Sequence, residues 1–206
     1  MIPLHKRLGK RVFDLLVAGS LLLLLSPLVL MVALAVFTTS GSPVVFTSCR
    51  LGRHEKPFSM PKFRSMRNDS PLIPTPHFGN VTDFITPFGR FMRDTSLDEL
   101  PQLWSVVKGD MSLVGPRPLL ITSEEAIHNQ RKKFGVYELK PGMTGWAQVN
   151  GRANITMQSK LQLDCEYLLR QSVGFDAKIL FHTLLHIINS GHFGLFHKLC
   201  TRFRQE

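Results

Sequence analysis

Two adjacent carboxylates, Asp98 and Glu99, stand in the stretch TSLDELPQLWSVVKGDMSLVGPRP, Thr95 to Pro118. On a helix, neighbouring side chains diverge by about 100°, so these two do not face each other across a cleft. They can still share one edge of a pocket. One could attack or bind a metal while the other orients a group or takes a proton. A plain structural reading competes with this. Ser96 followed three residues later by Glu99 has the pattern of a capping box, and Asp98 would then oppose the helix dipole from the first turn.

The surrounding cations favour chemistry. Arg90 and Arg93 lie just upstream, and Arg117 sits between Pro116 and Pro118, a rigid mount for a guanidinium. Arginine binds phosphate through two parallel N–H groups. Lys62 and Arg64, in PKFRSM, add positive charge. Paired carboxylates among phosphate-binding cations suggest a diphosphate substrate and a divalent metal. Mg²⁺ suits such a site, because it takes few carboxylates and leaves the rest of its shell to phosphate and water. Asp98 is the expected ligand.

Several elements must position these groups. RFMRDTSLDELPQLWSVVKGD reads as one helix ending at Gly109, with Phe91 and Trp104 expected in the core. Val44 to Thr47 and Phe58 to Phe63 suit short strands. Ser123 to Phe134, Thr156 to Ser172 and Gly174 to Ile188 read as helices, whereas ELKPGMTGWAQVNGR is a Gly- and Pro-rich loop. Pro71 to Asp83 lies in a long proline-rich loop, a length that often carries function.

Upstream lies LLLLLSPLVL, Leu21 to Leu30, inside an uncharged run of 23 residues from Leu15 to Phe37. At about 1.5 Å per residue this run could cross a hydrocarbon core of about 30 Å. Pro27 interrupts a helix there, and the adjacent Ser26 hydroxyl can take the carbonyl that proline leaves unpaired. Basic residues flank both ends: Lys6, Arg7, Lys10 and Arg11 before, and Arg50, Arg53, Lys56, Lys62, Arg64 and Arg67 after. Positive charge near a membrane end marks the cytoplasmic face. A segment that enters, bends at Ser26-Pro27 and leaves on the same face keeps both flanks in the cytoplasm. The run is too long for a signal-peptide core, so a retained anchor is expected.

The totals agree. The 206 residues carry 25 Lys+Arg against 15 Asp+Glu, a net charge of +10. That excess fits a membrane surface or a phosphate-rich substrate. No zinc-finger, RNA-binding or helix-turn-helix signature supports a nucleic-acid partner. Cys49, Cys165 and Cys200 are too few and too scattered for a disulfide framework or a CxxC metal site. The expected fold is α+β and mainly helical. It comprises a basic lead-in and re-entrant membrane helix-break-helix over 1–39, a small compact cytoplasmic domain with a short β element over 40–190, and a basic amphipathic interfacial tail over 191–206.

In order along the chain come KRVFD before the Ser-Pro segment, KPFSMPKFRSM, TSLDELPQLWSVVKGDMSLVGPRP and LKPGMTGWAQVNGR. Together they resemble the bacterial sugar transferase family, the monotopic polyprenyl-phosphate phosphoglycosyl transferases, from Lys10 to about Leu185. The chain resembles the catalytic unit alone. The resemblance implies transfer of a sugar 1-phosphate from a UDP-sugar to undecaprenyl phosphate at the cytoplasmic face of the bacterial inner membrane. It assigns Asp98 and Glu99 as the catalytic dyad, with Asp98 forming a phosphosugar-aspartyl intermediate in a ping-pong scheme. Arg93 and Arg117 are similar to the family's phosphate-holding arginines. Ser26 and Pro27 match its re-entrant bend.

Other residues are open to more than one reading. Gln148, Asn150 and Arg152 could read the nucleotide or its phosphates, or could belong to a structural loop whose turns use Gly142, Gly145 and Gly151 beneath a buried Trp146. NGR is followed by ANITMQSK, where many members carry a tryptophan-containing stretch. This stretch and the Pro71–Asp83 loop leave the sugar undetermined, an amino or N-acetylated hexose being expected. His182 and His186 share a helical face but lack a third ligand, so packing or interfacial roles are expected. Self-association into a homo-oligomer is left open. Two further readings are a non-catalytic basic membrane adaptor, in which Asp98-Glu99 only caps a helix, and a metal-dependent nucleotide-sugar hydrolase. The latter has no need of membrane docking.

Overall fold

The computed structural model describes residues 4–70, 84–122, 125–151 and 155–190. The Pro71–Asp83 loop, Arg152, Cys200 and the tail over 191–206 lie outside them. The fold is mainly helical with a small β component, as expected.

Helix α1, Leu4–Ser40, carries the apolar run and is long and apolar enough to cross a bilayer. The break expected at Ser26-Pro27 is not a break in the helix, which continues through Pro27. Pro27 lacks the N–H that would reach the carbonyl of Leu23. The Ser26 hydroxyl donates to that carbonyl instead, at 2.8 Å, so the orphaned acceptor is satisfied within the helix.

Both arms of α1 rest on the rest of the chain. In the first arm, Arg11 donates to the carbonyls of Val106 and Val107 at 2.6 and 2.7 Å, placing a cation at the carbonyl end of a helix. Asp14 is buried and accepts from the Leu113 amide at 3.2 Å. Lys10 meets the buried Asp176 at 2.6 Å, and Asp176 also accepts from the Tyr167 hydroxyl at 2.7 Å. In the second arm, Val32 and Val36 are buried in one cluster with Phe63 and Met92.

Strands β1 (Val45–Leu51) and β2 (Pro57–Phe63) form an antiparallel hairpin in the register Val45 opposite Phe63 through Leu51 opposite Pro57. Helix α2 (Pro87–Thr95) follows, capped by the Thr86 hydroxyl on the Gly89 amide at 2.9 Å. The single helix expected over the next stretch is divided. Ser96 adopts φ 59°, a left-handed conformation that few non-glycine residues take. It ends α2 and starts a one-turn 3-10 helix, Leu97–Glu99, before α3 (Gln102–Lys108).

Strands β3 (Ser112–Val114) and β4 (Gly142–Thr144) pair in parallel, separated in sequence by α4 (Glu125–Lys133). Helices α5 (Trp146–Val149), α6 (Met157–Arg170) and α7 (Val173–Ser190) complete the described chain. The larger core cluster gathers Leu103, Val106, Met111, Leu113, Tyr167 and Ile179 against Ala18 of α1. Phe91 and Trp104 do not join the core. They are 42% and 63% exposed, while Met92, Leu103 and Val106 are the buried apolar residues of α2 and α3.

Candidate active site

Glu99 is the fixed point of the site. Its Oε1 accepts from Lys62 Nζ at 2.6 Å and from Arg117 Nη2 at 3.0 Å. Lys62 arrives from β2 and Arg117 from the GPRP segment after β3. The capping box does not form, because Ser96 makes no side-chain cap bond. Burial alone would raise the Glu99 pKa, but Arg117 and Lys62 bring it below the ordinary value. Glu99 is therefore a held anion.

Asp98 has a different environment. It is 7% exposed, and its Oδ2 lies 3.8 Å from Lys62 Nζ, beyond hydrogen-bond reach. Burial pushes its pKa up against the opposing pull of Lys62, with Glu99 raising it further and Arg93 and Arg117 lowering it. The pKa values of two adjacent carboxylates are thus pushed in opposite directions, the kind of divergence that separates roles at active sites. Leu97 and Leu100, on either side of the dyad, pack on the cluster that Val32 and Val36 of α1 form with Phe63 and Met92.

Arg93 donates to the Ser65 hydroxyl at 2.8 Å, and burial lowers its pKa while Asp98 opposes that shift. Arg64 is half-buried just past the end of β2, and none of its side-chain interactions among the described residues reaches the dyad. Lys62, Arg93 and Arg117 converge on the dyad, whereas Arg64 does not.

A cavity of about 750 Å³ opens beside Glu99 and Arg117. Its apolar wall includes Leu103, Met143, Leu180 and Leu21 of α1. Gln148 lines it with both amide atoms buried and without a hydrogen-bond partner among the described residues. Asn150 is exposed and donates to the Trp146 carbonyl at 2.7 Å. Trp146 itself is half-buried, its indole N–H on Glu166 at 2.8 Å.

The glycines here serve close approach. A Cβ on Gly145 would lie 2.1 Å from the Gly115 carbonyl oxygen, and one on Gly142 would lie 2.1 Å from the Gly115 amide nitrogen. This interlock fixes GPRP against β4. His186 meets the Val149 carbonyl at 3.0 Å. Among the described residues no three His, Cys, Asp or Glu side chains gather as a metal cluster.

The sequence does not assign three further residues to the site. Arg50 lines the cavity and donates to the Pro118 carbonyl at 3.3 Å. Burial and then Arg117 lower its pKa, while Glu99 opposes. Arg131 and Asp164 form a buried ion pair at 2.7 Å in the cavity wall. The only local signal for Arg50 is a cation in a strand. Its place is set by a bridge to Leu120, a pairing that no local motif announces.

The bacterial sugar transferase family matches residues 5–190. The chain is 41% identical over 184 residues to an uncharacterized sugar transferase, EpsL, of Bacillus subtilis, covering 88% of each protein. It is 40% identical over 185 residues to a UDP-glucose:undecaprenyl-phosphate glucose-1-phosphate transferase of Escherichia coli, covering 86% of this chain and 40% of that protein. It is 38% identical over 192 residues to an undecaprenyl-phosphate galactose phosphotransferase of Salmonella typhimurium, with the same two coverages. The chain thus spans about two-fifths of the longer relatives and most of the Bacillus one.

Proposed function

Because the chain belongs to the bacterial sugar transferase family, we propose that it transfers a sugar 1-phosphate from a UDP-sugar to undecaprenyl phosphate. The products are undecaprenyl-diphosphate-sugar and UMP, and the reaction begins the membrane stage of cell-surface glycan assembly. The carrying observation is the placement of the dyad. Asp98 is buried beside a Glu99 already held by Lys62 and Arg117, between two leucines that pack on the cluster of Val32, Val36, Phe63 and Met92.

The Asp98 carboxylate attacks the phosphorus next to the sugar, and the bond to the UMP oxygen breaks. UMP leaves with the electron pair. A lipid phosphate oxygen then attacks the same phosphorus and displaces Asp98, which returns as carboxylate. A ping-pong scheme of this kind lets a soluble donor and a lipid acceptor use one site in turn. Desolvation favours Asp98 as the attacking group, and the engaged Glu99 serves as the orienting anion. Arg93, Arg117, Lys62 and Arg50 offset the charge of the diphosphate. Gln148 presents an amide to the part of the donor that enters the cavity.

Asp98 fits Mg²⁺ as a single carboxylate completed by substrate phosphate and water. The ion supplies charge neutralisation at the diphosphate when bound.

The membrane arrangement proposed is monotopic, on the cytoplasmic face of the inner membrane. From Arg11 to Val36 a straight helix extends roughly 38 Å, more than the roughly 30 Å hydrocarbon core. A transbilayer rod would put these residues on opposite faces, yet Arg11 contacts α3 and Val36 packs on Phe63 and Met92. A re-entrant α1 is compatible with both contacts.

Intact-mass spectrometry tests the reaction. Wild-type protein given donor and Mg²⁺ without lipid should gain one phosphosugar, and Asp98→Asn should gain none. Steady UMP release without lipid would point to a hydrolase, and full transfer by Asp98→Asn would sink the nucleophile assignment. The relatives' names specify glucose and galactose, so UDP-glucose and UDP-galactose head the donor panel, ahead of the amino hexoses.

A further inference from the structure

A second, smaller cavity of about 230 Å³ lies at the foot of α1. It stands away from the dyad, near the start of β4, with Leu139 and Lys140 in its wall. Arg7, Lys10 and Arg11 line it from α1, Arg53 from the turn after β1, and Lys140 from the segment before β4. Against these five cations the lining includes two carboxylates, Asp14 and Glu138.

The existing pairings leave positive charge over. Lys10 is engaged by Asp176 at 2.6 Å and Asp14 at 3.9 Å. Arg11 is engaged by two backbone carbonyls. Glu138 is divided between Arg7 at 3.7 Å and His54 at 3.6 Å. No carboxylate lies within ion-pair distance of Arg53 or Lys140 among the described residues. The Nε atoms of Arg7 and Arg53 are both buried and have no acceptor among the described residues. Burying a charged N–H donor without a partner is costly. Burial also lowers the pKa of Lys140, with Arg11 and Arg53 adding to that shift and Asp14 and Asp110 opposing it, as expected where cations outnumber carboxylates.

We propose that this cavity is an anion site for a phosphate-bearing group, separate from the catalytic site. A tetrahedral phosphate offers several acceptor oxygens, enough to serve both Nε donors and the Lys140 ammonium at once. The volume accommodates a phosphate with a few waters, each of which occupies about 30 Å³. Two sources share this chemistry: the headgroup of an anionic phospholipid, and free phosphate.

The experiment uses the full chain in detergent and in lipid. Because the catalytic cations also attract phosphate, inorganic phosphate is titrated against Arg117→Ala protein by thermal shift at constant ionic strength. The same protein is measured in nanodiscs of phosphatidylcholine with and without phosphatidylglycerol. The comparison adds Arg53→Gln and Lys140→Gln together in that background, with circular dichroism as the check on folding. The proposal expects stabilisation by at least one probe and a loss of about tenfold or more in its apparent affinity in the Gln variants, the scale of a lost charge-assisted bond. A response to phosphatidylglycerol alone identifies the lipid headgroup, and a response to phosphate identifies the free ion. If the Gln variants misfold, Arg53→Lys replaces them. It keeps the charge, removes the Nε donor and should still weaken the response. Failure of both probes to stabilise the Arg117→Ala protein, or an equal response with and without the Arg53 and Lys140 substitutions, would overturn the proposal. Neither outcome depends on whether the chain transfers sugar phosphate.

Discussion

Arg131 donates one guanidinium N–H to the backbone carbonyl of Arg117 at 2.8 Å and another to the buried Asp164 carboxylate at 2.7 Å. The arginine that holds Glu99 is therefore held from behind. Two prolines stiffen the GPRP segment, Gly115 locks it against β4, and the Arg131–Asp164 pair fixes its carbonyl.

That relay should give the enzyme an acidic limit. Burial pushes Asp164 up to about 6, with Arg131 opposing. Its folded-state pKa lies above the unfolded value, so its contribution to stability is fullest below about pH 4 and is lost as pH rises to about 6. For activity the sign is opposite. Below about pH 6 Asp164 takes a proton, Arg131 loses its anion and Arg117 loses support. UMP release should fall there, and Asp164→Asn should be slow at neutral pH with a flatter acid limb. An unchanged pH profile in that variant would show that Arg117 stands without the relay.

Lys62 should control the ionisation of Asp98. It is the strongest opponent of the burial that raises Asp98. In Lys62→Met that opposition is gone, Asp98 rises further, and the acid limb of the pH–rate profile should move to higher pH. Activity at neutral pH should fall by about a hundredfold or more, the scale seen when a preorganised charge is removed from a transition state. A uniform loss at every pH would limit Lys62 to binding the donor.

Gly145→Ala should cost stability before it costs chemistry. The new Cβ would meet the Gly115 carbonyl oxygen at 2.1 Å, and both partners are backbone. A loss of about 1–3 kcal/mol is expected from such overpacking, read as a lower midpoint in chemical denaturation. An unshifted midpoint would mean that the β3–β4 junction can open without penalty.

Much of this architecture was legible in the chain. The alternating β2 strand, the apolar run and the helices after Thr156 follow from local pattern, and Lys62, Arg93, Asp98, Glu99 and Arg117 announce themselves by type. What misled was the continuous helical pattern from Arg90 to Gly109. Nothing local reveals that Ser96 takes a left-handed conformation, since that strain is held by contacts on both sides of it. Trp104 is exposed although its type alone would bury it. Arg50, Arg131 and Asp164 went unread because their partners, Leu120, Arg117 and each other, are set by long-range pairing. Arg64 shows the converse, a cation of the right type in the right motif whose side chain does not reach the dyad.

The topology of α1 should be decided by labelling from each side of the membrane. Cysteines replacing Lys6 and Lys56 flank the apolar run, and native Cys49, Cys165 and Cys200 are first removed. With Ser26 donating to the Leu23 carbonyl, the Pro27 turn has no unsatisfied acceptor and can lie within hydrocarbon. A re-entrant helix places both labels in the cytoplasm, so a membrane-impermeant maleimide should react with each in inverted vesicles and with neither in intact cells with a permeabilised outer membrane. Labelling of the Lys6 position from the periplasmic side would establish a transbilayer α1. In that case the contacts of Arg11 with α3 and of Val36 with Met92 could not both persist in the membrane. Ser26→Ala should retain the topology but weaken the helix by about 1 kcal/mol, the usual worth of a hydrogen bond in a membrane interior.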